Sequence, residues 1–299
     1  MTRKSRNITK GPQSDAHDNA STTAGEKPKR LQLTHFLCIP LVTETSRPQL
    51  EKSLQEFQSK MHEHVPLLSA KAIRPVGTLH LTLGVMSLVD EERLEGAIAL
   101  LKSLGLKDML KSSPPPGLEP TVKLGLEGVD NTITIPATLS RPISPPLLEN
   151  QGAASTGLKS NTDPKPPIIN LTSLHSMHSP HSTSVLYAHP QDPTFRLLPF
   201  CTNLQALFTS EGYIIDDNRP LKLHATIVNT TYAKAGGRGG APMRIDATSL
   251  IEKFRDVVWA EGVRVERVAI CKMGAKKILG EGGVVVGEEY EEVAVVEMP

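Results

Sequence analysis

Two short segments constrain this chain more than anything else in it. Leu79-His80-Leu81-Thr82-Leu83 and Leu223-His224-Ala225-Thr226-Ile227 carry the same alternation of apolar residues with His and Thr. In a β-strand successive side chains point to opposite faces. Leu79, Leu81 and Leu83 are therefore expected in a core, as are Leu223, Ala225 and Ile227, while each strand turns an imidazole and a hydroxyl to its other side. Two such strands side by side would bring two histidines and two threonines into one groove. A third triplet, His181-Ser182-Thr183, lacks the apolar alternation and lies in a Ser- and Pro-rich stretch. It is read as accidental, because the strand context and not the triplet carries the signal.

The chemistry follows from the side chains. An imidazole titrates near neutrality, so one histidine can accept a proton while its partner donates one, and the pair can cleave a phosphodiester when they face each other across the phosphorus. Hydroxyls beside them can donate to the non-bridging oxygens as charge builds up. The candidate catalytic set is His80, Thr82, His224 and Thr226, and the scheme requires no metal and no cofactor. Tyr232 is a candidate for stacking on a base, Phe36 and Tyr187 are similar cases, and Lys222 is placed to attract phosphate. Lys234 and Arg238 would do so from the Gly-rich segment 236–240, which lacks the spacing of a P-loop. His62 and His64 have no acidic partners nearby, and His175, His178 and His181 are not preorganised as ligands, so no metal site is expected.

Composition narrows the partners. The 299 residues hold 33 basic and 32 acidic side chains, a formal net charge of +1, so no large uniform field drives duplex binding and any nucleic acid is held locally. The cysteines Cys38, Cys201 and Cys271 are far apart and flanked by apolar residues, which suits free thiols in a reducing compartment. No signal peptide and no membrane span are expected, and the protein is expected to be intracellular. Basic clusters at Arg3-Lys4-Ser5-Arg6 and Lys27-Pro28-Lys29-Arg30 tilt the choice between nucleus and cytoplasm slightly to the nucleus.

Along the chain, residues 1–30 are polar and read as a disordered tail, and 31–299 as one domain. Within that domain about 138–184 reads as a low-complexity insertion in a surface loop. Strands are expected at Leu33–Leu41, at the two His segments, at Thr121–Leu126 and Val185–Ala188 flanking the insertion as a hairpin, at Val263–Met273 and at Glu291–Met298. Helices are expected after Ser46, with Leu50, Leu54, Phe57 and Met61 on one face, and after Asp90, with Leu94, Ala97, Ile98 and Leu101 inward. Two more should follow Asp192-Pro193 and Asp246. One His/Thr strand in each half implies an α+β duplication: a bilobal sheet-and-helix fold with helices outside and a central groove.

The phrases Gly77-Thr78-Leu79-His80-Leu81-Thr82-Leu83-Gly84 and Leu223-His224-Ala225-Thr226-Ile227-Val228-Asn229-Thr230 resemble the 2H phosphoesterase superfamily, LigT-like in fold, and within it the A-kinase-anchor-protein-7-like branch. The resemblance runs from about Leu33 to the C-terminus. It implies a bilobal fold, metal-independent phosphodiester chemistry on RNA or oligonucleotide ends, and a groove built by His80, Thr82, His224 and Thr226. The expected substrates are a 2′,3′-cyclic phosphate, an RNA terminus or a 2′,5′ linkage. The competing expectation is a non-catalytic nucleotide- or RNA-binding adaptor in a nuclear protein complex, recruited through the polar tail and insertion.

Overall fold

The alternating segments of the sequence pair into one sheet. The computed structural model describes residues 31–111, 165–216, 218–233 and 242–299; the tail 1–30, the strand expected at Thr121–Leu126, and Lys234, Arg238 and the Gly-rich segment lie outside them. In the unit Leu33–Pro299 the strands are β1 (His35–Pro40), β2 (His80–Met86), β3 (Ile168–Ser176), β4 (Val185–Gln191), β5 (Ala225–Asn229), β6 (Val258–Arg264), β7 (Arg267–Lys272), β8 (Lys276–Leu279), β9 (Val285–Glu289) and β10 (Glu292–Glu297). The helices are α1 (Arg47–His64), α2 (Glu91–Ser103), α3 (Leu106–Lys111), α4 (Leu197–Ser210) and α5 (Thr248–Lys253).

An 8-stranded antiparallel sheet has the order β10-β7-β1-β2-β5-β4-β3-β6, and β8 and β9 form a separate hairpin. The two His strands are the innermost pair, so the sheet divides into two four-stranded halves that meet where β2 pairs β5 at Leu81 and Ala225. This is the α+β bilobal duplication expected from the repeat. Only Val265 and Glu266 separate β6, at one edge, from β7, next to the other edge. The sheet is therefore curled until its ends approach each other.

One face of the sheet carries the main core. Leu37, Ile39, Leu81, Leu83, Ala225, Ile227 and Trp259 pack there against Leu50, Phe57 and Met61 of α1 and Phe200, Leu204 and Phe208 of α4, all at most 1% exposed. The apolar face expected for α1 is the one that is buried. Edge strand β6 would otherwise offer free backbone groups. Instead, α1 covers them: Ser53 donates to the Trp259 carbonyl at 2.9 Å, and Gln49 accepts from the Glu261 N–H at 2.9 Å. The opposite face holds a smaller cluster of Phe36, Cys38, Ala269 and Cys271.

Several expectations are corrected. Part of the stretch read as a low-complexity insertion is β3, with Ile169, Leu171 and Leu174 in the core, and Thr183 and Ser184 beyond it are also buried. Ser173 adopts a left-handed backbone (φ 59°) within a β-bulge, and an extra residue of this kind breaks the two-residue period that marks a strand. β4 pairs β3 on one edge and β5 on the other, so the hairpin it forms is with β3, while the strand expected at Thr121–Leu126 lies outside the described residues. The strand expected at Val263–Met273 is two strands, broken at the buried Val265, whose N–H turns to the Pro167 carbonyl at 3.0 Å. The Ser46 hydroxyl does not cap α1; it donates to the Leu41 carbonyl at 2.7 Å and holds the preceding turn. Asp90 likewise makes no side-chain cap bond. Asp192 is four residues before the N-cap Arg196, but its carboxylate still reaches the start of α4, accepting from the N–H groups of Arg196 and Leu197 at 2.8 and 2.7 Å.

Candidate functional site

The seam between the halves builds the site. Leu81 and Ala225 are paired and fully buried on the core side. In an antiparallel pair the chains run oppositely from that point, so His80 falls beside Thr226 and Thr82 beside His224. All four belong to the parity opposite to Leu81 and Ala225, and all four are half-buried on the face away from the core. The sequence-predicted set is thus brought together by a single pairing.

The two histidines are held in the same way. His80 Nδ1 lies 2.8 Å from the Thr78 carbonyl and His224 Nδ1 lies 2.8 Å from the Lys222 carbonyl, in each case two residues upstream. A carbonyl only accepts, so in both rings Nδ1 carries the proton. Nε2 is then the nitrogen left for substrate, as an acceptor in the neutral ring or a donor in the charged one. Each ring is also braced by an aromatic neighbour. Phe36 lies 4.8 Å from His80, with Tyr290 edge-on at 5.3 Å, and Tyr187 stands edge-on to His224 at 5.5 Å.

Burial pushes the His80 pKa down to about 4, and the positive charges of Arg74 and His224 add to the effect against the opposing bond to Thr78. Burial also lowers His224, partly offset by its bond to the Lys222 carbonyl, with the Lys222 charge lowering it further. Both rings are therefore neutral at pH 7 in the free protein, His80 more firmly so.

Three further residues complete the site, and sequence reasoning missed two of them. Arg74 is 6% exposed. Its guanidinium lies 3.9 Å over the Tyr232 ring and donates to the Tyr290 hydroxyl at 3.2 Å. The Tyr290 hydroxyl also bonds that of Tyr232, and burial pushes its pKa up to about 12. Among the described residues no carboxylate lies within ion-pair distance of Arg74. Its backbone N–H bonds the Ile227 carbonyl at 2.8 Å, which ties it to the second His strand. Neither Arg74, next to a proline in the link between two 3-10 turns, nor Tyr290, far along the chain, sits in a periodic pattern that could have flagged it.

The other predicted binding residues separate by exposure. Phe36 is 5% exposed and supports His80 from beneath, so it is a wall and not an open stacking surface. Tyr232 is 49% exposed and reaches the site through Arg74. The Lys222 ammonium lies 4.7 Å over Tyr187, beside His224. A cavity of about 330 Å³ adjoins His80 and Tyr290, lined also by Arg47, Gly77, Arg267 and Glu289. The third triplet lies elsewhere: Thr183 bridges Ile245, and His181 bonds the Thr248 hydroxyl at 3.1 Å, within the turn between β3 and β4. Among the described residues no group of three or more His, Cys, Asp or Glu is arranged to hold a metal.

A two-lobed antiparallel sheet whose inner strands present two tautomer-locked His-x-Thr pairs to one groove is the architecture of the 2H phosphoesterase class. The chain belongs to the AKAP7 2'5' RNA ligase-like domain family, whose profile matches residues 33–280. An uncharacterized protein of Schizosaccharomyces pombe is 34% identical over 119 residues, covering 39% of this chain and 50% of that protein. The chain thus spans about half the length of this curated relative. Among solved structures, E. coli LigT complexed with 3'-AMP aligns at a TM-score of 0.41 with 12% identity, over 89% of this chain and 98% of that one. The TT0787 protein of Thermus thermophilus aligns at 0.41 with 14% identity, over 88% and 97%. These superpositions are too loose to carry chemistry across; the family match supports phosphodiesterase or RNA ligase-like activity.

Proposed function

We propose that the protein is a metal-independent phosphodiesterase of RNA or oligonucleotide substrates, such as a 2′,3′-cyclic phosphate, an RNA terminus or a 2′,5′ linkage, with His80 as general base and His224 as general acid. The observation that carries this reading is the Leu81–Ala225 pairing, which sets two histidines with matched Nδ1–H···O=C bonds beside two threonines. The roles follow from the environment. The more strongly depressed ring, His80, keeps its Nε2 lone pair at neutral pH, as a base must. The Arg74 charge beside it opposes its protonation. His224, farther from Arg74 and less depressed, is the ring that a bound phosphate's negative charge can protonate.

For a 2′,3′-cyclic phosphate, His80 Nε2 takes a proton from water as the water oxygen bonds to phosphorus. The bond from phosphorus to one ribose oxygen breaks, and His224 Nε2–H delivers a proton to that oxygen. The product is a phosphomonoester, and proton exchange with solvent resets both rings. Thr82, Thr226 and Arg74 donate to the non-bridging oxygens as their charge grows.

The test is turnover of 2′,3′-cyclic nucleotides and of 2′,5′- and 3′,5′-linked oligonucleotides in EDTA, comparing wild type with His80→Ala and His224→Ala. Each change is expected to lower kcat by roughly 10²- to 10⁴-fold. Absence of turnover by a folded wild-type protein that still binds these nucleotides would refute the reading and favour a binding adaptor.

A further inference from the structure

The two walls of the groove differ in chemistry. On the first-half side the cations lining the cavity beside His80 are paired, Arg47 with Glu289 at 2.8 Å and Arg267 with Glu292 at 2.9 Å, and Arg74 is held at the reacting centre itself. On the second-half side a line of rings leads away from His224. Tyr187 stands 5.5 Å from His224, His175 stacks on Tyr187 at 5.6 Å, and His189 stands edge-on to His175 at 6.1 Å. The register explains the line. His175 of β3 is paired with Tyr187 of β4, and His189 lies two residues beyond Tyr187 on the same face of that strand. Tyr187 is buried beneath its neighbours, whereas His175, His189 and Lys222 are exposed. Among the described residues no acidic side chain pairs with any of these three.

We infer that this wall is the track on which a single-stranded oligonucleotide lies beyond the reacting phosphate, with bases against the His175 and His189 rings and a phosphate at Lys222. The inference rests on the reading of the groove as a phosphodiesterase site and names the part of the substrate that leaves it. The rings are spread in a line at contact distance and do not converge on one point, which suits stacked bases and not a metal ion. Partial desolvation of the ring by its neighbours, with repulsion from His175 and Lys222, holds His189 below its ordinary range, so at pH 7 it offers a ring face instead of a charge. Stacking on such rings tolerates any base, and a single lysine neutralises about one phosphate. Beyond Arg74 at the reacting centre, the first-half wall, with Arg47 and Arg267 already paired, offers an anionic strand no comparable attraction.

Two measurements test this on the full chain with the His175→Ala/His189→Ala double variant, whose changed side chains are exposed. The first is kcat/KM across oligonucleotides of increasing length that end in a 2′,3′-cyclic phosphate. Wild type should gain with length, and the double variant should lose about tenfold of that gain while its rate on the mononucleotide stays within about twofold. Equal gains in both proteins, or an equal loss at every length, would overturn the inference. The second is anisotropy of a fluorescein-labelled single-stranded tetranucleotide on the His80→Ala background, which requires no turnover. Binding weakened about tenfold by the double change supports the track even if no substrate is cleaved. Unchanged binding, or none by the parent, overturns it independently of the catalytic reading.

Discussion

Lowering the pH should unfold this protein partly through His80. Its half-buried ring packs against Phe36 and Tyr290 and lies in the field of Arg74, and its pKa is about 4 instead of the ordinary 6.5. The unfolded chain therefore binds a proton at this position that the native state refuses. Stability from this source is complete above the unfolded pKa and falls as pH drops toward the folded one. With these values the loss between about pH 7.5 and pH 5 is about 2 kcal/mol, and the full shift corresponds to about 3 kcal/mol. Carboxylates also titrate in this window, so the comparison must be a double difference: urea denaturation of wild type and His80→Asn at both pH values. The variant should lose about 2 kcal/mol less than wild type over that range. Equal losses in the two proteins would refute the argument, as would an NMR titration placing the His80 ring near its ordinary pKa.

Other outcomes follow from the same geometry. Arg74→Gln should reduce kcat/KM on the phosphodiester panel by about 10²-fold, because a preorganised donor to the phosphate is lost. It should also raise the His80 pKa, since the charge removed is one that lowers it, and a kinetic pH profile with the NMR titration checks both. Thr226→Val removes a hydroxyl from the groove while keeping the shape of the strand; kcat should fall about tenfold or more with KM little changed. Gly84→Ala should destabilise the fold by about 1–3 kcal/mol in urea titrations. A Cβ there would stand 2.5 Å from Ile214 Cδ1 and 2.7 Å from its Cγ1 and Cγ2, and Ile214 is itself buried.

What local patterning determined, it determined well. Alternation places Leu81, Leu83, Ala225 and Ile227 in the core and the His and Thr residues opposite them, and the 3.6-residue period identifies Leu50, Leu54, Phe57 and Met61 as the buried face of α1. Both signals live within a few residues of chain, where backbone geometry alone decides which side chains share a face. Where the pattern is interrupted, as at the Ser173 bulge in β3 or the turn at Val265, the strands were hidden or merged. The cap residues divided similarly: the Asp192 carboxylate meets the first N–H of α4, while the Ser46 hydroxyl bonds the Leu41 carbonyl and closes the turn before α1 instead of capping it.

The sequence also named both histidines, since each repeats a local motif. Only the tertiary structure decided that Leu81 pairs Ala225, and so that each histidine lies beside the other strand's threonine. Arg74, Tyr290 and the His175–Tyr187–His189 line belong to the same category. They come from the link between two 3-10 turns, the connection between β9 and β10, and two neighbouring strands, and nothing in their spacing along the chain encodes their distance in space. Local periodicity records which face a residue occupies; which residues then share that face across strands is set by register and sheet curvature, which the chain acquires only on folding.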